Sequence, residues 1–172
     1  MQFELKSISK EGIPEALAKV ERYRLLNEPA FAESICLDIL AIEPDNQQAL
    51  ISLLLARTDQ FHSNAHVKSA QEVLDRIKSE YERAYYSGIV WERLATARIR
   101  QEGQGGTAAA YHALREAMRH YEAAIELSTR GNDDAILRWN TCARVIMQNS
   151  EISAFSDDEP TETWALDDTP TR

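Results

Sequence analysis

Residues 32 to 56 read AESICLDILAIEPDNQQALISLLLA, and their punctuation decides the fold class. Phe31, Ile35, Cys36, Ile39 and Leu40 recur at three- and four-residue steps, the period of one helix face. Pro44-Asp45-Asn46 then stops that helix, because proline lacks the N–H and residues before it avoid helical backbone. A second stripe, Leu50, Leu53, Leu54 and Arg57, begins within four residues. Two amphipathic helices joined by so short a turn must lie side by side. The question is whether they form an enzyme core or one unit of a repeat.

Working outward, helical periodicity runs from residue 13 to residue 148. Pro14 suits a first turn, and Ala16, Leu17, Val20, Tyr23 and Leu26 make the helix before the quoted pair. Asn27-Glu28-Pro29 separates them. After a polar break, His62-Ser63-Asn64-Ala65-His66, a helix is expected from Val67 to Ser79. A fifth is expected over Arg83 to Glu102, with a bend at Ser87-Gly88. Gly103-Gln104-Gly105-Gly106 reads as a loop. A sixth helix follows over Thr107 to Leu127, and a seventh carries Ile136, Trp139, Ala143 and Ile146. Asp133 or Asp134 is the expected N-cap of the last. The domain plan is a lead-in at 1–12, a helical domain at 13–148 and a tail at 149–172.

Composition restricts the function classes. With 44% hydrophobic and 27% charged residues, the 172-residue chain reads as one soluble globular domain. No stretch approaches about 18 consecutive apolar residues, so no membrane insertion is expected. The opening MQFELKSISKEG lacks the basic start and apolar run of a secretory signal. Cys36 and Cys142 sit in helical apolar patterns and read as buried free thiols. Together these favour the cytoplasm. A net charge of −9 argues against a nucleic-acid partner, since phosphate binding needs a basic surface. Much of that charge lies beyond residue 148, in Glu151, Asp157, Asp158, Glu159, Glu162, Asp167 and Asp168 against Arg172. Such a segment is expected to be disordered alone. Trp164 and Leu166 stand isolated among its acids, and three roles fit them: a docking motif, a cap on the end of the helical stack, or an inert tail.

Catalytic constellations are sparse. His62 and His66 have the i, i+4 spacing of metal ligands, but the Glu of an HExxH pattern is missing and no cysteine completes a set. A solvated turn is the preferred reading, with a metal protein or enzyme using that pair as the contrasting class. Gly103 to Gly106 lack the Lys-Ser/Thr of a phosphate loop, and no serine sits in a Gly-x-Ser-x-Gly elbow. No cofactor is expected, and the chain is not read as an enzyme.

Internal repeats remain. Aligned on Ala16, Leu50, Trp91 and Trp139, the leading helices are 34, 41 and 48 residues apart. The first spacing is the period of a tetratricopeptide repeat. LISLLLAR at 50–57, WERLATAR at 91–98 and WNTCARVI at 139–146 supply its leading helices. Ala117-x3-Tyr121 with Ala124 matches a second helix, and Ala32-x3-Cys36 with Pro44 matches another. Over residues 13–148 the chain therefore resembles the tetratricopeptide repeat family. The resemblance implies antiparallel helix pairs stacked as a short right-handed α-solenoid, with small residues (Ala95, Ala117, Ala143) where helices approach and rings (Trp91, Trp139, Tyr121) between pairs.

It also implies a non-catalytic adaptor or assembly factor that binds another protein along a concave face. That face would take Gln48, Ile51, Leu55, Glu92, Thr96, Arg138, Asn140 and Arg144, apolar at one end and basic at the other, and hold a peptide bearing an acidic group. The alternative is a dedicated chaperone for a secreted or complex subunit, and a homo-oligomer is compatible with either. The family's clamp for chaperone-tail carboxylates falls here on Leu17 and Glu21. A glutamate there repels a carboxylate, so that activity does not carry over.

Overall fold

The computed structural model describes residues 3–61, 64–100 and 104–153. Every regular element among them is helical. Residues 3–9 run without regular structure into a 3-10 turn, Lys10–Gly12. The helices are α1 (Ile13–Leu25), α2 (Pro29–Ile42), α3 (Gln47–Thr58), α4 (Asn64–Leu74), α5 (Glu80–Arg100), α6 (Gln104–Leu127), α7 (Asp134–Gln148) and α8 (Ser150–Ser153). Each packs on its neighbour in the chain, and α1 touches α3 as α3 touches α5. Helices α1, α3 and α5 thus form one layer of the stack, to which α7 is linked by the Arg138–Glu92 pair.

Local chemistry sets the turns. α1 ends in a Schellman motif: Asn27 N donates to Arg24 O and Glu28 N to Tyr23 O, with Asn27 in the left-handed region at φ 58°. Asparagine tolerates that conformation better than most residues. α3 opens on Asn46, whose Oδ1 accepts from Ala49 N at 2.9 Å. The quoted stretch therefore folds as its stripes require. Ala32, Cys36, Ile39, Ala49, Leu50, Leu53 and Leu54 are all buried. Each fully buried leucine or isoleucine contributes about 1.5–3 kcal/mol relative to exposure.

Four boundaries differ from the sequence expectation. α4 begins at Asn64 and stops at Leu74, and Ile77 is buried beyond its end. Ser79 turns the chain into α5, its Oγ accepting from Glu82 N at 3.2 Å. α6 starts at Gln104, so Gly105 and Gly106 belong to its first turn rather than to a loop. α8 carries the packing to Ser153, past the expected start of the tail, because Ile152 is fully buried and Asn149 Oδ1 accepts from Glu151 N and Ile152 N. Asp133 does precede α7, but its side chain makes no cap bond.

Helix α5 runs unbroken through Ser87-Gly88. Gly88 is needed for contact. A Cβ there would lie 2.4 Å from Tyr121 Cε1 and 2.6 Å from Cδ1, so the α6 ring rests on the α5 backbone. Tyr121 is fully buried and lies 6.0 Å from the Tyr85 ring. Helix α5 is shared by two cores. Val90, with Tyr86, Leu94 and Ala97 beside it, packs into the core of α1 to α4. Ile89 and Ala95, with Tyr85 and Trp91, pack into the core of α6 to α8.

Candidate partner-binding face

The odd-numbered helices carry a ladder of charge. Arg24, near the end of α1, donates from Nε to Asp59 Oδ2 at 3.0 Å. Asp59 caps the end of α3. From α5, Arg93 Nη1 donates to the other oxygen of Asp59, to Thr58 Oγ1 at 2.6 Å and to Leu55 O at 3.0 Å. Its neighbour Glu92 accepts from Tyr121 Oη at 2.6 Å and from Arg138 Nη1 of α7 at 3.0 Å. Burial pushes the Arg93 pKa down, opposed by Asp59. For Arg138 burial again acts downward and is the largest single influence, but Glu92, Tyr85 and Tyr121 together outweigh it and the pKa rises. Two acids against three arginines leave one positive charge over, but each guanidinium is already hydrogen-bonded to a carboxylate.

A groove of about 540 Å³ lies beyond the ladder, between α1 and the start of α3. Lys10, Ile13, Pro14, Leu17, Ala18 and Glu21 line one wall, and Glu43, Asn46 and Gln48 the other. Asn46 Nδ2 donates to Glu43 Oε2 at 3.0 Å and Lys10 Nζ lies 3.1 Å from Oε1. Those two contacts hold the Glu43 carboxyl below its usual pKa. Lys10 and Glu43 neutralise each other, which leaves Glu21, exposed on α1, as the charge that sets the sign of the groove.

The expected site residues fall into four groups. Gln48 is exposed in the groove. Ile51 and Leu55 are half-buried against the first and second cores, and the Leu55 carbonyl is taken by Arg93. Glu92 and Arg138 meet each other, and with a side chain only 15% exposed Glu92 is committed to the scaffold. Thr96 is exposed, its Oγ1 donating to Glu92 O of its own helix at 3.1 Å. Asn140 and Arg144 do not join Arg138. At 100° per residue they stand about 200° and 240° around α7 from it, on the side turned away from Glu92. Trp164 and Leu166 lie outside the described residues, as do His62 and the side chain of His66. Among the described residues no group of three or more His, Cys, Asp or Glu is placed to hold a metal. No described helix is long and apolar enough to cross a membrane.

Sequence reading missed Arg24 and Asp59, left Arg93 off the binding face, and gave Tyr121 only a packing role. A signal was present. Arg24 and Asp59 are 35 residues apart and Asp59 and Arg93 are 34, so residues one repeat period apart stand side by side. No protein-family model matches this chain, and no curated protein or solved structure matches it.

Proposed function

We propose that this chain is a non-catalytic interaction module of tetratricopeptide-like repeats, which holds a segment of a partner protein along the layer formed by α1, α3 and α5. One observation carries the reading. Arg24, Asp59 and Arg93 meet at spacings of 35 and 34 residues, the lateral register that a 34-residue helical repeat generates. Stacked pairs of this kind leave an extended surface, commonly the binding surface. The ladder acts as scaffold because its acids and arginines satisfy one another. Binding therefore falls to the groove, where Leu17, Ile13 and Pro14 offer apolar contact beside Glu21 and Gln48. Its charge favours a peptide with a lysine or arginine next to an apolar residue, reversing the acidic ligand expected from sequence.

The test is selection from a random peptide library on the full chain, followed by titration of the winners. Selected peptides should be enriched in basic residues. Glu21→Lys and Gln48→Lys should each weaken them about tenfold by placing like charge in the groove. Arg119→Glu, on the exposed side of α6, should leave affinity unchanged. Equal losses for all three changes, or peptides with no basic preference, would remove the groove assignment.

A further inference from the structure

Helix α1 packs on α2 and α3 and turns its opposite side outward. Glu15, Lys19, Arg22 and Leu26 follow there at i, i+4, i+7 and i+11, one stripe of the helix, and all four are exposed. The stripe stands opposite Ile13, Leu17 and Val20, which are buried in the first core. Glu11, in the 3-10 turn, extends it at one end. Leu25 flanks it at the other, 89% exposed beside Leu26 at 63%. Phe31, in the first turn of α2, is exposed as well, its ring stacked on Tyr23 with centroids 5.5 Å apart. None of Glu11, Glu15, Lys19 and Arg22 has an ion pair or side-chain hydrogen bond among the described residues. A repeat stack requires its terminal unit to be polar outside or capped, and Leu25 and Leu26 leave this end neither.

Along the stripe the order is acid, acid, base, base, then leucine. Reversed, that order of charges is its own complement. A second copy laid antiparallel, about a twofold axis near residue 17, sets Glu11 opposite Arg22 and Glu15 opposite Lys19, each pair occurring twice. The same register carries Leu25 and Leu26 of each copy toward the lead-in of the other, where Phe3 and Leu5 are exposed. Acids early and bases late in a helix also suit its dipole, but the dipole gives no reason for two leucines in water beside them. Charge supplies the register and the leucines supply surface to remove from water. We propose that two copies of this chain pair through the outward side of α1 in this antiparallel register. None of Glu11, Glu15, Lys19, Arg22, Leu25 and Leu26 lines the groove of about 540 Å³, so the pairing is independent of the peptide site.

Sedimentation equilibrium on the full chain tests this. At ~100 μM the parent should sediment at twice its monomer mass and return to one on dilution. Lys19→Glu with Arg22→Glu makes the stripe wholly acidic and should weaken pairing at least ~10-fold. Glu11→Lys with Glu15→Lys makes it wholly basic and should weaken pairing as much. Mixed in equal amounts, the two variants should pair with each other at least as tightly as the parent, a recovery that misfolded chains would not give. Leu25→Ser with Leu26→Ser should also weaken pairing, with every charge in place. A parent that stays monomeric up to ~500 μM would overturn the proposal. So would a dimer that every variant leaves intact, which would place the contact elsewhere, or charge variants that lose pairing and do not regain it when mixed.

Discussion

Gly88→Ala reads directly on the way α5 and α6 meet. In an exposed helix interior this change stabilises by about 1 kcal/mol, because alanine loses less backbone entropy than glycine. Here the new methyl would fall 2.4, 2.6 and 2.8 Å from three atoms of the Tyr121 ring, distances that real Cβ contacts do not tolerate. The ring cannot yield cheaply. It is fully buried, it packs on Tyr85, and its hydroxyl is held by Glu92 at 2.6 Å. Overpacking of a filled site costs about 1–3 kcal/mol, and three close contacts with a pinned ring argue for the upper half. Subtracting the propensity gain leaves a net loss of roughly 1–2 kcal/mol, or about 2–8 °C in melting temperature for a chain of this size. Urea denaturation followed by circular dichroism measures it. With Tyr121→Leu in the background the same methyl has room, and Gly88→Ala should turn neutral or stabilising, a coupling that a double-mutant cycle isolates. A Gly88→Ala protein more stable than its parent would refute the close approach of the two helices.

Arg93→Met removes the donor shared by Leu55 O, Thr58 Oγ1 and Asp59 while keeping the aliphatic stem, and should cost about 1–2 kcal/mol in urea midpoint terms, partly screened because both charged partners are about a quarter exposed. Arg119→Met, whose partner Glu116 is one turn away on an exposed surface, should cost under about 0.5 kcal/mol; equal costs would show that the ladder contributes nothing. Burial pushes the thiols of Cys36 and Cys142 up to about 12, and it raises the phenols of Tyr86 and Tyr121 as well. Unfolding above the ordinary thiol pKa of 9.0 therefore releases protons that the folded chain retains, so stability should be flat below about pH 9 and fall as pH rises further. A urea midpoint that stays constant from pH 8 to 11 would contradict this, as would reaction of either thiol with a disulfide reagent before unfolding.

Much of the fold could be read from apolar period alone, because a helix must bury one stripe and the stripes of α2 and α3 have little competition. Depth was harder. Trp91 and Trp139 were expected to wedge between pairs, yet both are half-buried, and the Trp139 Nε1 reaches the exposed Glu122 at 2.9 Å. Periodicity gives the side of a helix on which a residue stands, while its depth depends on the curvature and spacing of the neighbours. The true point of closest approach is Gly88, which a local reading takes for a hinge because its partner Tyr121 lies 33 residues later. Charge was misread for a related reason. Arg93 looks like a solvated residue until Asp59, one repeat earlier, is brought beside it. Arg138 and Arg144 look equivalent in sequence, but six residues of helix turn them to different sides, one toward Glu92 and the other toward the open end of the stack.

The distribution of charge separates what holds this molecule together from what it offers to a partner. A stack of repeats is stabilised chiefly by contacts between neighbours, so the junction between its two cores is where the halves are coupled. That junction is one helix, α5, with Val90 in the first core and Ile89 in the second. Apolar packing alone would let the halves slide, because burial is non-directional. Hydrogen-bonded ion pairs are directional. Asp59 ties α1 and α5 to α3, and Glu92 ties α6 and α7 to α5, which fixes the register across the same junction. Groups satisfied in this way have little left to give a ligand, since a competing anion must displace a carboxylate already in place. Recognition is better placed where surface polar groups remain unspent. Under the proposed reading Glu21 and Gln48 at the first pair are exposed groups of that kind, at one end of the ladder.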